Sequence, residues 1–449
     1  MSPSRTTKTA LGAAAAAACA VLLAGCSSPG SSDPFAGFGP DPTIPPPHKG
    51  LLPQIGVPEV VGWAGTAKPT APEGFTVTRF ADGLDHPRWM LALPNGDVLV
   101  AEAAAPPKEI KEGGVRAWAA KLLMSRVGAT TPSADRITLL RDADGDGVAE
   151  TKTTFAQGAA HGLKSPFGMT LVGETLYVAN ADGVVSFPYQ PGQTSVTGAG
   201  TPVFDLPGGP RNHHWTKNVM ASPDGARLYA TVGSDSNIGE NGLETETGRA
   251  AVWEYDLATK QARVFASGLR NPNGLDFEPT TGALWTVVNE RDEIGPDLPP
   301  DYLTRVRDGG FYGWPYSYWG TIVDKRVTPE RPELVATALK PDYGLGAHTA
   351  SLGLVFYRGE AFPAAYRGGA FIGQHGSWNR KPLAGYRVVF VPFADGRPQT
   401  PAQEFLTGFL NADGKIQGRP VGVAVDGRGA LLVADDVGDV IWRVAATGG

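Results

Sequence analysis

The feature that most limits how this chain can fold is a unit of loop, short strand, turn and short strand that returns six times. The copies are GLDHPRWMLALPNGDVLVAE at 83–102, GLKSPFGMTLVGETLYVAN at 162–180, KNVMASPDGARLYATVG at 217–233, GLRNPNG at 268–274 with the two strands after it, LGLVFYRGEAFPAAYRGGAFIGQ at 352–374 and GRPVGVAVDGRGALLVADD at 418–436. In each, short apolar runs are bounded by Gly, Pro, Asn or Asp, the pattern of strands joined by tight turns. One such hairpin buries too little surface to stand alone, and repeats of this size find their core by packing on one another. Six copies predict an all-β fold, a six-bladed β-propeller. The alternating segments Phe75–Phe80 and Asp439–Val444 lie at the two ends of the repeat region. An unclosed ring would leave ladder edges bare there, so the two segments are predicted to share one blade.

The N-terminus has a different character. Arg5 and Lys8 precede an apolar run from Ala10 to Gly25 that ends Leu-Ala-Gly-Cys26. Its length suits a secretory signal better than a membrane span, and a small-residue cleavage site followed at once by Cys reads as a bacterial lipoprotein signal. Residues 1–25 are then removed and Cys26 carries lipid, which makes the protein an exported one, lipid-anchored to the bacterial cell envelope on its periplasmic or extracellular face. The alternatives are an ordinary cleaved signal or an uncleaved anchor. Residues 27–53 hold eight prolines and no apolar period. Such composition buries little, so 26–74 is expected to be a flexible or semi-extended tether ahead of a propeller domain at 75–449. The cysteines are Cys19, inside the signal, and Cys26, so the mature domain forms no internal disulfide. Removing Arg5 and Lys8 takes the formal charge from −6 to −8. An acidic chain without basic runs does not suit nucleic acid as a partner.

Between Glu102 and Asp135, Trp118, Leu122, Leu123 and Met124 fall at near-helical spacing and suggest an inserted helical excursion. Asp142, Asp144 and Asp146 alternate before Gly147, the opening of an EF-hand-type calcium loop, although Thr153 stands where the loop's closing Glu is expected. A plain Asp/Gly hairpin turn is the competing reading. At 211–215, RNHHW places two histidines on extended backbone, where neighbours point to opposite sides. At most one of His213 and His214 then faces an axial channel, and no third ligand at zinc spacing accompanies them.

Several long motifs in a fixed order carry a resemblance. RNHHW ahead of SPDG, GLRNPNG, NERDEIGPDLPPDYL with GGFYGWP, GAHTASLGLVFYRG at 346–359, GQHGSWNRKPLAGYRVV at 373–389 and QGRPVG at 417–422 resemble the glucose/sorbosone dehydrogenases. These are six-bladed propellers dependent on pyrroloquinoline quinone (PQQ), and the chain from about 75 to 444 is most similar to their sorbosone dehydrogenase-like branch. The resemblance implies that His214 is the catalytic base and that Arg270 and Asn271 lie against the quinone. It further implies that Arg88, His348, Thr349, Arg380, Lys381 and Arg419 contact the cofactor. A quinone with three carboxylates does call for convergent guanidinium forks. In the related soluble enzymes peptide carbonyls of a Gly-Pro pair hold an active-site calcium. Here Asn289-Glu290-Arg291-Asp292 occupies that place. Glu290 and Asp292 are the candidate calcium ligands, with a salt bridge to Arg291 as the alternative.

The implied reaction is removal of a hydroxyl proton by His214 and hydride transfer to the quinone, with Arg270 and calcium stabilising the oxyanion. Reduced quinone then passes electrons to an acceptor that the sequence does not identify. The substrate is a sugar, a sugar aldehyde or a polyol, which Phe311, Tyr312, Trp314, Tyr316, Tyr318 and Trp319 would stack against unless they form blade core. The alternatives are a calcium-dependent propeller hydrolase, such as a lactonase, and a non-catalytic cell-surface binding propeller. The four arginines argue against the hydrolase.

Overall fold

A computed structural model describes residues 29–48, 58–107 and 132–447. The expected signal, Cys26 and most of the expected helical insertion lie outside them. The six repeats form the inner two strands of six antiparallel blades. Blade one is Pro87–Ala92, Val98–Glu102, Arg136–Arg141 and Thr151–Gln157. Blade two is Met169–Val172, Thr175–Asn180, Gly183–Pro188 and Thr201–Asp205. Blade three follows with Val219–Ala221, Arg227–Val232, Ala251–Asp256 and Gln261–Ser267. Blade four takes Pro272–Phe277, Leu284–Val288, Pro300–Arg305 and Tyr343–Ala347. Blade five is Ser351–Phe356, Ala370–Gln374, Arg387–Val391 and Gln403–Leu406. Blade six is Pro420–Val425, Leu431–Asp435 and Val440–Ala446, and Phe75–Ala81 pairs with the last of these, so the chain ends share a blade as predicted.

Around the axis the inner strands meet backbone to backbone, and glycine makes this possible. A Cβ on Gly274 would stand 2.6 Å from Leu354 N, and one on Gly353 would stand 2.2 Å from Val421 O. Gly422 is equally close to blade one, 2.7 Å from Arg88 O. Distances below 3 Å are repulsive, so a larger residue here would push blades apart. Between blades the core is apolar. Trp442, Phe371, Phe390 and Leu431 are fully buried between blades five and six, and Phe155, Phe167 and Val178 between blades one and two.

The segment expected to be a tether is instead packed where it is described. Phe38–Gly39 adds a fifth strand to blade four beside Tyr343–Ala347, and Phe35 and Phe38 pack on the core of blades four and five. Val60 bridges to Ile416, and Trp63 packs edge-on against Trp442 at 5.1 Å while donating from Nε1 to Asp435 at 2.7 Å. Proline-rich composition hid this because edge pairing and a few aromatic anchors require no apolar period.

Trp442 ties the closing blade to this segment, and truncating a buried Trp to Ala typically costs about 3–5 kcal/mol. Chemical denaturation of Trp442→Ala should show a loss of that size; a loss below about 1 kcal/mol would contradict a packed closure.

Candidate active site at the mouth of the ring

Antiparallel blades place two sets of loops at the same end of the ring, those entering each inner strand and those joining the second strand to the third. The first set carries His86 and Arg88, His214, Arg270 and Asn271, His348 and Thr349, and Arg419; the second carries Ser234, Asn289 to Asp297, His375 to Arg380 and Asp436. Residues far apart in sequence therefore face one mouth.

On the blade four side, Arg270 is almost wholly buried and fixed by Glu290 O at 2.7 Å, Asn237 Oδ1 at 2.9 Å and Asp292 at 3.4 Å. His214 lies within its field. The Nδ1 of His214 is 2.8 Å from Ser234 O, an oxygen that only accepts, so Nδ1 carries the proton and Nε2 keeps its lone pair. Burial first, then Arg270 and His213, hold its pKa well below the usual histidine value, and the ring is neutral at pH 7. His213 is exposed, its ring crossing that of His214 edge-on at 4.7 Å. Asp292 also accepts from Asn379 Nδ2 at 2.7 Å and lies 3.3 Å from His348 Nδ1. Burial works against its charge, but His348 and Arg270 prevail and bring its pKa down to about 2. Burial likewise opposes the charged form of His348, yet the hydrogen bond to Asp292 wins and its pKa is raised.

On the blade six side, Asp436 is shared by three cations or potential cations. Arg88 Nη1 donates to it, His375 Nε2 lies 2.9 Å away and His86 Nε2 3.5 Å away. Burial would raise the pKa of Asp436, but His375, His86 and Arg88 hold it far below the carboxylate range. His375 is neutral, lowered to about 3 by burial and by Arg419. The Arg419 guanidinium donates to His375 O at 2.9 Å and Gly376 O at 2.7 Å and has no carboxylate partner among the described residues. Arg88 also lies over the rings of Phe167 and Trp215, 5.8 Å from each. Two buried polar atoms in this mouth have no partner among the described residues, Arg88 Nε and Asn271 Oδ1.

Other expected site residues fall differently. Arg380 is held at the rim by Asp297 at 2.6 Å, Pro296 O and Ser31 O, while Lys381 is exposed. The hydroxyl of Thr349 is directed into blade four, onto Asp301 at 3.0 Å. Glu290 takes the ion-pair alternative, accepting from Arg291 Nε at 2.9 Å in a network that continues to Asp324. Both oxygens of Asp292 face donors, so Glu290 and Asp292 do not form the open oxygen set that calcium needs. Asp142, Asp144, Asp146 and Glu150 do gather with ligand atoms within 4.8 Å of one another, at the opposite end of the ring, although Arg428 occupies one oxygen of Asp142. Of the 311–319 aromatics, Tyr312, Tyr318 and Trp319 belong to the core. Phe311, Trp314 and Tyr316 line a cavity of about 290 Å³ with Glu246 and Arg249, off the axis at the junction of blades three and four.

Sequence reasoning passed over His86, His375, Asp436, Asn379 and Lys217. The available signal was positional, because a polar residue closes or follows the second strand of most repeats. Lys217 has no exposed surface, and its Nζ lies 3.3 Å from His214 O and 3.4 Å from Asn212 Oδ1. It fixes the loop that presents His214. Burial, with Arg249 adding repulsion, lowers its pKa to about 7.

The family model described as TrAA12-like matches residues 121–298 and 333–447. An uncharacterized protein of Borreliella burgdorferi is 31% identical over 242 residues, 52% of this chain and 62% of its own length. The pyrroloquinoline quinone-dependent pyranose dehydrogenase of Coprinopsis cinerea is 27% identical over 333 residues, 60% of this chain and 44% of its own length. The chain thus spans less than two thirds of both relatives. Among solved structures, the PQQ domain of the Coprinopsis cinerea pyranose dehydrogenase superposes with a TM-score of 0.66 at 21% identity, over 86% of this chain and all of that one. The six-bladed ring and the resemblance to the glucose/sorbosone dehydrogenases are borne out.

Lys217 gives this loop a pH signature. Between pH 7 and the ordinary lysine value of 10.5 the unfolded chain binds a proton that the folded chain does not, so stability from this group rises with pH. In denaturation curves the wild type should gain on Lys217→Met across that window. Parallel curves would show that Lys217 is an ordinary lysine.

Proposed function

We propose that this chain, which belongs to the TrAA12-like family, oxidises a sugar, a sugar aldehyde or a polyol with pyrroloquinoline quinone as its cofactor. The observation that carries the reading is a neutral His214 with Nε2 unprotonated, set in a mouth toward which several buried guanidiniums converge. The PQQ dependence of the Coprinopsis cinerea relative supports the choice of cofactor.

The mouth fits an acidic planar quinone. Among the described residues the Arg419 guanidinium has no carboxylate partner, Arg88 Nε is an unpaired buried donor, and Asn271 Oδ1 is an unpaired buried acceptor. Arg88, Arg419, Arg270 and Asn271 would hold the group, with charge-assisted bonds to its carboxylates. When bound, it supplies the two-electron acceptor that side chains lack. The protein supplies the proton acceptor and the field. His214 Nε2 accepts the hydroxyl proton of the substrate, and the Nδ1 bond to Ser234 O keeps the ring in that tautomer and orientation. The Arg270 guanidinium stabilises negative charge growing on the substrate oxygen, and its bonds to Glu290 O, Asn237 and Asp292 fix it before the reaction begins. The hydrolase alternative requires carboxylates open to a metal, whereas Asp292, Asp297 and Asp436 are each paired with a cation.

Loss of the base should cost about 10²–10⁴-fold in rate. In single-turnover reduction of the quinone-loaded protein by sugar, His214→Ala should be slower by that factor and still bind the quinone, and His213→Ala should stay near wild type. Normal turnover by His214→Ala would refute the assignment. The acid limb of the wild-type rate profile should lie below the ordinary histidine pKa and move up in Arg270→Met, because the variant removes a charge that disfavours imidazolium.

Calcium we assign to the acidic loop at 142–150 and not to the mouth, on the strength of its four convergent carboxylates. Chelation should then lower the melting temperature of the wild type more than that of Asp144→Ala and leave quinone affinity unchanged. A fall in quinone affinity on chelation would return the ion to the mouth.

A further inference from the structure

Where the N-terminal segment meets the ring bears on how the protein stands at a membrane. Gly30 N donates to Lys381 O at 2.8 Å, and Ser31 N donates to both oxygens of Asp297 at 2.9 and 3.1 Å. Arg380 Nη2 donates back to Ser31 O at 2.8 Å. The fit at Gly30 is close, since a Cβ there would stand 3.0 Å from the Arg380 guanidinium. Farther on, Arg387 donates to Pro34 O and lies over the rings of Phe35 and Phe38 at 4.9 and 5.5 Å, and Phe38–Gly39 joins the sheet of blade four. Residues 30–39 are therefore a strap fixed to the ring, and its first residues sit on the mouth rim between the Asp297 and Arg380 loops.

Cys26 is only four residues before Gly30. Four residues at full extension span at most about 14 Å, whatever their conformation. The strands are five to seven residues long in most blades, so the opposite end of the ring lies roughly 20 Å farther away.

We propose that the lipid anchor leaves from the mouth, so that the protein stands on the bilayer with its axial site turned toward the lipid headgroups and its acidic loop at 142–150 turned away. The partner surface is the bilayer itself. The inference rests on the reading of Cys26 as the acylated residue and adds to it a direction, because a long tether would allow every orientation and this strap does not. The reach of four residues and the four hydrogen bonds at the rim leave the mouth loops of blades four and five nearest the membrane.

The test uses the full acylated chain in phospholipid vesicles that carry a nitroxide on the headgroup. The mature chain has no cysteine besides Cys26, so one introduced thiol takes one fluorophore. Glu293→Cys places it on an exposed mouth loop of blade four, and Ala394→Cys places it on an exposed turn at the far end of blade five. Quenching should be several-fold stronger at position 293 than at 394. Equal quenching at both positions would mean that the ring lies on its side, and stronger quenching at 394 would mean the reverse orientation; either overturns the proposal. Cys26→Ser, run in parallel, separates the two layers of the argument. If the wild type fails to enter vesicles and the variant behaves identically, the anchor itself is refuted and the orientation with it. If the wild type binds vesicles and the labels do not differ, only the orientation is refuted.

Discussion

The ring depends on how closely its inner strands approach the axis. At Gly274, Gly353 and Gly422 the backbone of the next blade occupies the space a side chain would need. This contact sets the radius of the mouth, and the radius determines whether arginines on different blades reach one another's partners. It also explains a sequence regularity, the glycine two residues after proline in SPFG, NPNG and RPVG. The proline lies at or just before the start of the inner strand and the glycine is where that strand meets its neighbour. A polar residue next to the proline at a strand entrance is thereby delivered to the mouth: Arg88 follows Pro87, Asn271 precedes Pro272 and Arg419 precedes Pro420.

The electrostatics follow from crowding. Guanidiniums this close would repel one another, and the fold interleaves Asp292, Asp297 and Asp436 between them. Burial alone would raise the pKa of Asp292 and Asp436, but the partners around them prevail, His348 and Arg270 at the one and His375, His86 and Arg88 at the other. Burial first, and then the same positive field, keep His214 and His375 neutral. An ionised His214 would be no base, so the arrangement that binds an anion also prepares the proton acceptor. Lys217, buried behind His214 with a pKa near 7, belongs to the same balance.

Much of this was legible in the sequence because repeats encode the ring and ring closure encodes the mouth. Six hairpin units gave six blades, and the positions of Arg88, His214, Arg270 and Arg419 at strand entrances placed them at one end. What was not legible depended on pairing across long separations. Asp436 meets Arg88 across 348 residues and His375 across 61. No local pattern announces such partners. Glu290 and Thr349 were misplaced for a related reason, since each is drawn into the blade by a neighbour, Arg291 and Asp301 respectively, that competes with the mouth. The proline-rich segment was misread because composition reports the absence of a core of its own and is silent about adding a strand to another.

The central claim is that the mouth is built for an acidic quinone. Equilibrium titration of the purified protein with pyrroloquinoline quinone, followed by its absorption, tests it most directly when wild type is set beside Arg88→Ala and Arg419→Ala. Charged hydrogen bonds to a buried partner are worth about 1.5–3 kcal/mol each, so each variant should bind at least about tenfold more weakly than a saturable, one-to-one wild type. A wild type that does not bind the quinone, or variants that bind it as well as the wild type does, would contradict the account.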